Sequence, residues 1–142
     1  MIVANWMTKR VATVKPLDSI LHAREILEEK RVNQLPVVIG DEVVGIITDR
    51  DLRDAFPSVF DEAAGARKSG SAAKGDPSKV TVEMVMTATP FTIESKTPLV
   101  DAAERMRRER VGALPVCDNG KLTGILTRSD MLRALIEIAK TK

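Results

Sequence analysis

The feature that most constrains this chain is a pattern it contains twice. Gly45-Ile46-Ile47-Thr48-Asp49-Arg50-Asp51 returns as Gly124-Ile125-Leu126-Thr127-Arg128-Ser129-Asp130, a shift of 79 residues. The same shift carries Met7-Thr8 onto Met86-Thr87 and Leu35-Pro36-Val37 onto Leu114-Pro115-Val116. Three blocks in one register mean a gapless internal duplication and a fold of two equivalent units. In a chain of 142 residues each unit is small, so the two halves are expected to share a core.

The repeated block has a readable local physics. Gly-Ile-Ile and Gly-Ile-Leu are short apolar runs after a turn residue, which reads as buried strand. Thr48 and Thr127 then stand where a strand hands over to a helix. A Thr there caps the helix, and an acidic residue three positions later completes a capping box, although Asp is shorter than the preferred Glu or Gln. The same place offers unpaired N–H groups, a hydroxyl and a helix dipole, which suits a phosphate. A single Thr-x-x-Asp is ordinarily just a cap. Two copies inside a duplicated unit shift the balance towards a ligand site.

The 22 basic and 20 acidic residues nearly cancel, so charge gives no argument for nucleic acid. No apolar run approaches the length of a membrane span. The start, Met1 to Met7, lacks a basic stretch followed by a long apolar one, so no signal peptide is expected. The lone Cys117 excludes an intramolecular disulfide and a cysteine-rich metal site, and it reads as a small core residue. These features suit a cytoplasmic protein.

Taken in order, Ala12-Thr13-Val14 is a short extended piece. Asp18 or Ser19 caps a helix whose inner face is Ile20, Ala23, Ile26 and Leu27. Pro36 to Ile39 and Val43 to Ile47 form a hairpin around Gly40, and Thr48 opens a helix running to about Ala55. The second copy keeps this order. Thr92-Ile93 is its extended piece, and Thr97 is expected to cap with Pro98 at the first helical position. Asn119-Gly120 marks its hairpin turn. Its last helix, from Arg128, is longer, with Met131, Leu132, Leu135, Ile136 and Ile138 on an apolar face. Residues 57–79 are a linker, polar and basic from Gly65 to Pro77, with a short helix possible over Ser58–Ala64. Pro57, Phe56 and Phe60 pack locally or cover part of a pocket. The organisation is thus 1–56 and 80–142, joined by 57–79.

Met-Thr, the Leu-Pro-Val strand and the final Gly-Ile-x-Thr-x-x-Asp together resemble a tandem pair of CBS motifs, the Bateman module. The resemblance covers nearly all of the chain outside the linker. Within the family, Ile2-Val3-Ala4-Asn5-Trp6-Met7-Thr8 and Asp51-Leu52-Arg53-Asp54-Ala55-Phe56-Pro57-Ser58 are similar to acetoin-utilisation-type CBS proteins, without room for the extra regulatory domain some of those carry. The resemblance implies an α+β fold: two β-α-β-β-α repeats with pseudo-two-fold symmetry and two clefts. It implies an adenosine-containing ligand: AMP, ADP, ATP or S-adenosylmethionine. Asp51 and Asp130 would accept hydrogen bonds from ribose hydroxyls, since both carboxylate oxygens are acceptors. Thr48 and Thr127 would bond ribose or phosphate. Ser129 adds a hydroxyl in one copy; Arg50 replaces it in the other and could pair with a phosphate through its fork. Arg128 is a further candidate binding residue. Adenine would lie in an aliphatic slot made by Thr13-Val14 or Thr92-Ile93, the prolines Pro36 and Pro115, and the turns Val32-Asn33-Gln34 or Val111-Gly112-Ala113. Either turn could work with Asp130. The neutrality of Asn33 and Gln34 argues against a triphosphate there. The resemblance also implies a homodimer, packed through helices, that signals to an effector protein.

Three other classes compete. An enzyme would need a nucleophile or base. Asp49/Asp51 and Glu28/Glu29 lack a suitably spaced His or Cys, and the sole His22 reads as a surface or packing residue. Nucleic-acid binding would rest on Arg67, Lys68, Lys74, Lys79, Arg105, Arg107, Arg108 and Arg110. Those lack interleaved aromatics and read as solvated faces. A protein-interaction module with empty clefts is the main alternative to a nucleotide sensor.

Overall fold

A computed structural model describes residues 1–57 and 76–141. The proposed helix over Ser58–Ala64, the role of Phe60 and the linker from Gly65 to Gly75 lie outside the described residues. The helices are α1 (Ile20–Lys30), α2 (Asp49–Ala55), α3 (Val82–Val85), α4 (Leu99–Glu109) and α5 (Arg128–Lys140). The strands are β1 (Gln34–Ile39), β2 (Glu42–Thr48), β3 (Thr87–Ala88), β4 (Ala113–Asp118) and β5 (Lys121–Thr127). The fold is α+β, with a three-stranded sheet in the order β1-β2-β3 and a two-stranded sheet of β4 and β5.

The chain divides into two compact units. One consists of Met1–Val11, Asp41–Val43 and Pro90–Lys142; the other of Ala12–Gly40 and Val44–Thr89. The buried apolar residues fall into two clusters, one in each unit, where a single shared core was expected. Each repeat gains material from a flanking segment, which enlarges what it can bury. In the unit that holds β1, Val82 and Val80 join Ile20, Leu35, Ile47 and Leu52. In the unit that holds β4, Val3, Trp6 and Met7 join Leu99, Leu114, Val116 and Leu126. Fully burying a side chain of this size contributes about 1.5–3 kcal/mol.

The duplication is visible bond by bond. In the first unit Val14 N donates to Pro36 O at 3.1 Å and Val38 N to Val14 O at 2.9 Å. In the second Ile93 N donates to Pro115 O at 3.1 Å and Cys117 N to Ile93 O at 2.8 Å. Each extended piece therefore adds a parallel partner to its Leu-Pro strand. Thr8 bridges Ile125 antiparallel, and Thr87 pairs with Ile46 in the same way.

That pairing explains why Met-Thr and Gly-Ile repeat together. A methyl group on Gly45 would come within 2.3 Å of Met86 Sδ, and one on Gly124 within 2.6 Å of Met7 Sδ. The glycine leaves the space that the methionine fills.

Helix ends carry the fold's local rules. Ser19, not Asp18, caps α1, accepting from His22 N at 3.1 Å. Asp18 instead accepts from Lys15 N at 2.8 Å. Pro98 itself occupies the cap position of α4, without a side-chain bond, so Thr97 does not cap it. Arg31 (φ 55°) and Arg110 (φ 57°) end α1 and α4 in the left-handed region without glycine. Asn119 (φ 53°) and Gly120 (φ 77°) make the β4–β5 turn. Phe56 is buried in the core of its unit. Cys117 is half-buried beside an irregularity in the β4–β5 register, so it is not a full core residue. Along α5 only Asp130 and Ala134 are buried; Leu132, Leu135 and Ile136 are 60%, 60% and 52% exposed. That apolar stripe therefore does not close its own unit's core.

Candidate functional site

Both strand-to-helix junctions fold as complete capping boxes, so the shorter Asp does reach. At the first, Asp51 N donates to Thr48 Oγ1 at 3.0 Å and Thr48 N donates to Asp51 Oδ2 at 2.9 Å. At the second, Asp130 N donates to Thr127 Oγ1 at 3.2 Å and Thr127 N to Asp130 Oδ2 at 2.9 Å. Each box satisfies N–H groups that the helix start would leave orphaned.

The junctions differ in what else touches the carboxylate. Asp51 is half-buried, and its Oδ1 has no hydrogen-bond partner among the described residues. That oxygen keeps its acceptor capacity. Asp130 is 7% exposed and is the buried charged residue among those described. Its Oδ1 accepts from Thr8 Oγ1 at 3.3 Å and from Arg133 at 3.3 Å. Arg133 also donates to Trp6 O at 2.6 Å and lies 5.5 Å from the Trp6 ring centroid. Pairing with Arg133 and hydrogen bonding offset what burying this carboxylate costs.

The residue after each Thr ties its junction to the turn before the Leu-Pro strand. Asp49 N donates to Asn33 O at 2.9 Å, and Arg128 N to Gly112 O at 3.1 Å. Asp49 is paired with Arg24 and, at 3.2 Å, with Arg53. Arg128 is exposed and lies against Gly112, where an added methyl would meet its guanidinium carbon at 3.3 Å. Arg50 is also exposed, and among the described residues its ion-pair contact is with Asp54 at 3.9 Å.

The remaining residues expected at the site distribute as follows. Val14, Pro36, Ala113 and Pro115 are buried, and Val14 packs into the core. Thr13, Val32, Gln34, Thr48, Ile93, Val111, Gly112 and Thr127 are half-buried. Asn33, Thr92 and Ser129 are exposed. A cleft of about 330 Å³ is lined by Arg24, Glu28, Arg31, Val32, Asn33 and Asp49, among others. Another, of about 450 Å³, has Thr92 and Ile93 on one side and Asp101, Glu104, Arg105 and Arg108 of α4 on the other. Sequence reasoning passed over Thr8, Arg24, Asp49 and Arg133 as site neighbours. Thr8 could have been found, since it recurs as Thr87 in the same register; Arg24 and Arg133 carry no comparable signal.

Three groups titrate away from their usual range; hydrogen bonds from Ser78 lower the Asp76 carboxyl. The Ser95 N–H donates to Asp118 at 3.0 Å and, with the Ser95 hydroxyl, holds that carboxyl below its ordinary value. Burial, and then the Asp118 charge, push the Cys117 thiol up. Among the described residues no cluster of His, Cys, Asp and Glu could hold a metal ion, and no helix is long and apolar enough to cross a membrane.

A family model described as the CBS domain matches residues 3–58 and again residues 82–137. The chain is 34% identical over 155 residues to the CBS domain-containing protein CBSX1, chloroplastic, of Arabidopsis thaliana, covering 98% of this chain and 66% of that protein. It thus spans about two thirds of that relative's length. Among solved structures it is similar to CBSX2 in complex with AMP, at 33% identity and TM-score 0.77, covering 97% of this chain and 98% of that one. It is also similar to the CBS domain pair of protein MJ0100 in complex with 5′-methylthioadenosine and S-adenosyl-L-methionine, at 26% identity and TM-score 0.78, covering 96% and 97%. An acetoin utilization protein (AcuB) from Vibrio cholerae shares the fold at 22% identity and TM-score 0.78, covering 99% and 93%.

Proposed function

The chain belongs to the CBS-domain family, and from that premise we propose that it is a regulatory module binding adenosine-containing ligands at its two Thr-x-x-Asp junctions. The observation that carries this reading is the unpartnered Oδ1 of Asp51 beside a capped strand-to-helix turn. A carboxylate with one oxygen fixed and one open accepts a ribose hydroxyl without losing its cap. The AMP complex of CBSX2 and the methylthioadenosine and S-adenosylmethionine complex of MJ0100 support the ligand class. Thr48 and Asp51, with Arg50 beside them, would contact the sugar in one unit; Thr127, Arg128, Ser129 and Asp130 would contact sugar and phosphate in the other. Thr13 with the Val32–Gln34 turn, and Thr92-Ile93 with the Val111–Ala113 turn, would flank the base. The two motifs, 1–56 and 80–142, work as one module joined by 57–79.

Binding would reach a partner through segments that the ligand competes with. At Asp130 a ribose hydroxyl takes the place of Thr8 or Arg133 and loosens the hold on the N-terminal segment. The shift can be no larger than the ligand's differential affinity for the two arrangements. The exposed Leu132, Leu135 and Ile136 of α5 offer a face for a homodimer or an effector protein. The reading implies exposure to cytoplasmic nucleotide pools and no catalysis.

A second reading, an interaction module that binds no nucleotide, is favoured by the fact that both carboxylates already serve as caps. Thermal unfolding separates the two. AMP, ADP, ATP and S-adenosylmethionine are each added near a millimolar. A ligand of the native state raises the midpoint, by about 2.7 kcal/mol of stability at a hundredfold excess over Kd. A rise with at least one supports the sensor; no rise with any supports the interaction module.

A further inference from the structure

The two junctions are equivalent in backbone and opposite in charge. The residue after the Thr is Asp49 in one and Arg128 in the other, each hydrogen-bonded through its N–H to the same turn position, Asn33 or Gly112. Asp49 brings two cations with it, Arg24 from α1 and Arg53 from α2. The 79-residue shift turns Arg24 into Ala103 and Arg53 into Leu132, so both partners vanish where the acid becomes a base. Glu28, which pairs with Arg24 at 2.8 Å, becomes Arg107, while Arg31 stays basic as Arg110. The charge exchange therefore runs through a connected set of positions rather than one.

The consequence is local. Around Asn33 the charges close on one another: Arg24, Glu28, Asp49 and Arg53 form a compensated network. Around Gly112 the guanidinium of Arg128 is exposed, has no ion pair among the described residues, and lies on a residue that has no side chain to cover it. Arg107 and Arg110 are likewise exposed and without an ion pair among the described residues. A guanidinium fork that is neither paired nor buried is free to take a phosphate in bidentate fashion.

We propose that Arg128 is the specificity-determining residue that makes the Thr127 junction take adenosine phosphates, while the compensated Thr48 junction gives an anionic tail no preference. The inference rests on the nucleotide-binding reading above and adds the ligand class. The 5′-phosphate would meet the guanidinium of Arg128, with the ribose at Asp130. The discrimination should weaken with added salt, because the contact is at the solvent boundary.

The test is an NMR titration of the full chain, following the amides of Gly112, Thr127 and Asp130 against those of Asn33, Thr48 and Asp51. The probes are adenosine, AMP, ADP and 5′-methylthioadenosine. The expected result is that AMP and ADP move the first set at concentrations at least tenfold below adenosine and methylthioadenosine. Arg128→Glu should remove that advantage, so that AMP and ADP act at no lower concentration than adenosine; Arg128→Lys should restore only part of it. Phosphate-independent binding at the Thr127 junction, or an AMP preference that survives Arg128→Glu, overturns the assignment while leaving nucleotide binding intact. No response to any probe overturns the nucleotide-binding reading and this assignment with it. Unfolding of the Arg128→Glu chain would show instead that Arg128 serves the structure, which also contradicts the proposal.

Discussion

The hydroxyl of Thr8 lies 3.3 Å from Oδ1 of Asp130, joining residues 122 positions apart. Thr8 thereby ties the N-terminal segment to the strand-to-helix junction of the same unit, next to the backbone pairing of Thr8 with Ile125. Asp130 caps α5 with one oxygen and holds this segment with the other. One side chain therefore serves helix initiation, chain docking and the proposed ribose contact.

Replacing Thr8 with Val keeps the shape and removes the donor. Arg133 still serves Asp130, so the loss should be about 1 kcal/mol, the usual net worth of one such bond. Urea denaturation gives the value. Hydrogen exchange of the Val3 to Met7 amides should quicken at the same time. An unchanged midpoint with unchanged exchange would show that the hydroxyl contributes nothing.

The caps give a second expectation. Thr48→Ala and Thr127→Ala each remove a side-chain acceptor for a helix N–H and should each cost about 1 kcal/mol. Asp130→Ala should cost more than Asp51→Ala. Asp130 is 7% exposed, and its removal leaves Thr8 and Arg133 without their partner. Equal losses for the two aspartates would contradict the asymmetry between the junctions.

The paired glycines offer a sharper contrast. A methyl on Gly45 meets first the flexible side chain of Met86, at 2.3 Å to its sulfur. A methyl on Gly124 meets Met7 and also the carbonyl oxygen of Thr8 at 3.0 Å. That carbonyl accepts from Ile125 N at 2.9 Å and cannot rotate away. Gly124→Ala should therefore destabilise more than Gly45→Ala, by about 1–3 kcal/mol, the usual range for overpacking. Chemical denaturation of the two variants settles the order.

Asp118 sets an acid-side dependence. Ser95 holds its folded-state value below that of the unfolded chain. A lowered value means the favourable contribution is fully present above the unfolded carboxyl's range, near about 3.9, and is lost as pH falls through the lower folded value. The stability difference between the native chain and Asp118→Asn should be constant from neutrality to about pH 5 and shrink below about pH 4. A difference that grows on acidification has the wrong sign and would contradict the Ser95 assignment.

Much of this architecture is legible in the residues. The 79-residue register locates both hairpins, both junctions and the parallel placement of Val14 and Ile93, because each copy repeats the same apolar spacing. The Asn119-Gly120 turn declares itself through its left-handed preference. Other elements are hidden for physical reasons. The left-handed helix ends at Arg31 and Arg110 carry no glycine. α3 and β3 are too short for periodicity to show, and β3 forms only because β2 leaves an edge for it. Pro98 takes the cap position that a hydroxyl was expected to fill. Met7 and Met86 look like ordinary apolar residues until the glycines beneath them are seen. At the site, the Thr and Asp positions follow from the motif. The Arg24, Asp49 and Arg53 network and the Trp6–Arg133–Asp130 contact depend on tertiary neighbours that no local pattern specifies.

The central claim, that the junction carboxylates hold the sugar of an adenosine ligand, is met most directly by calorimetric titration of AMP into the native chain and into the double variant Asp51→Asn, Asp130→Asn. The amide keeps a cap acceptor and replaces the second acceptor oxygen with a donor, so the fold should persist while ribose binding fails. The account predicts measurable heat for the native chain and at least a tenfold loss of affinity in the folded double variant. Equal AMP affinity in both proteins would contradict it.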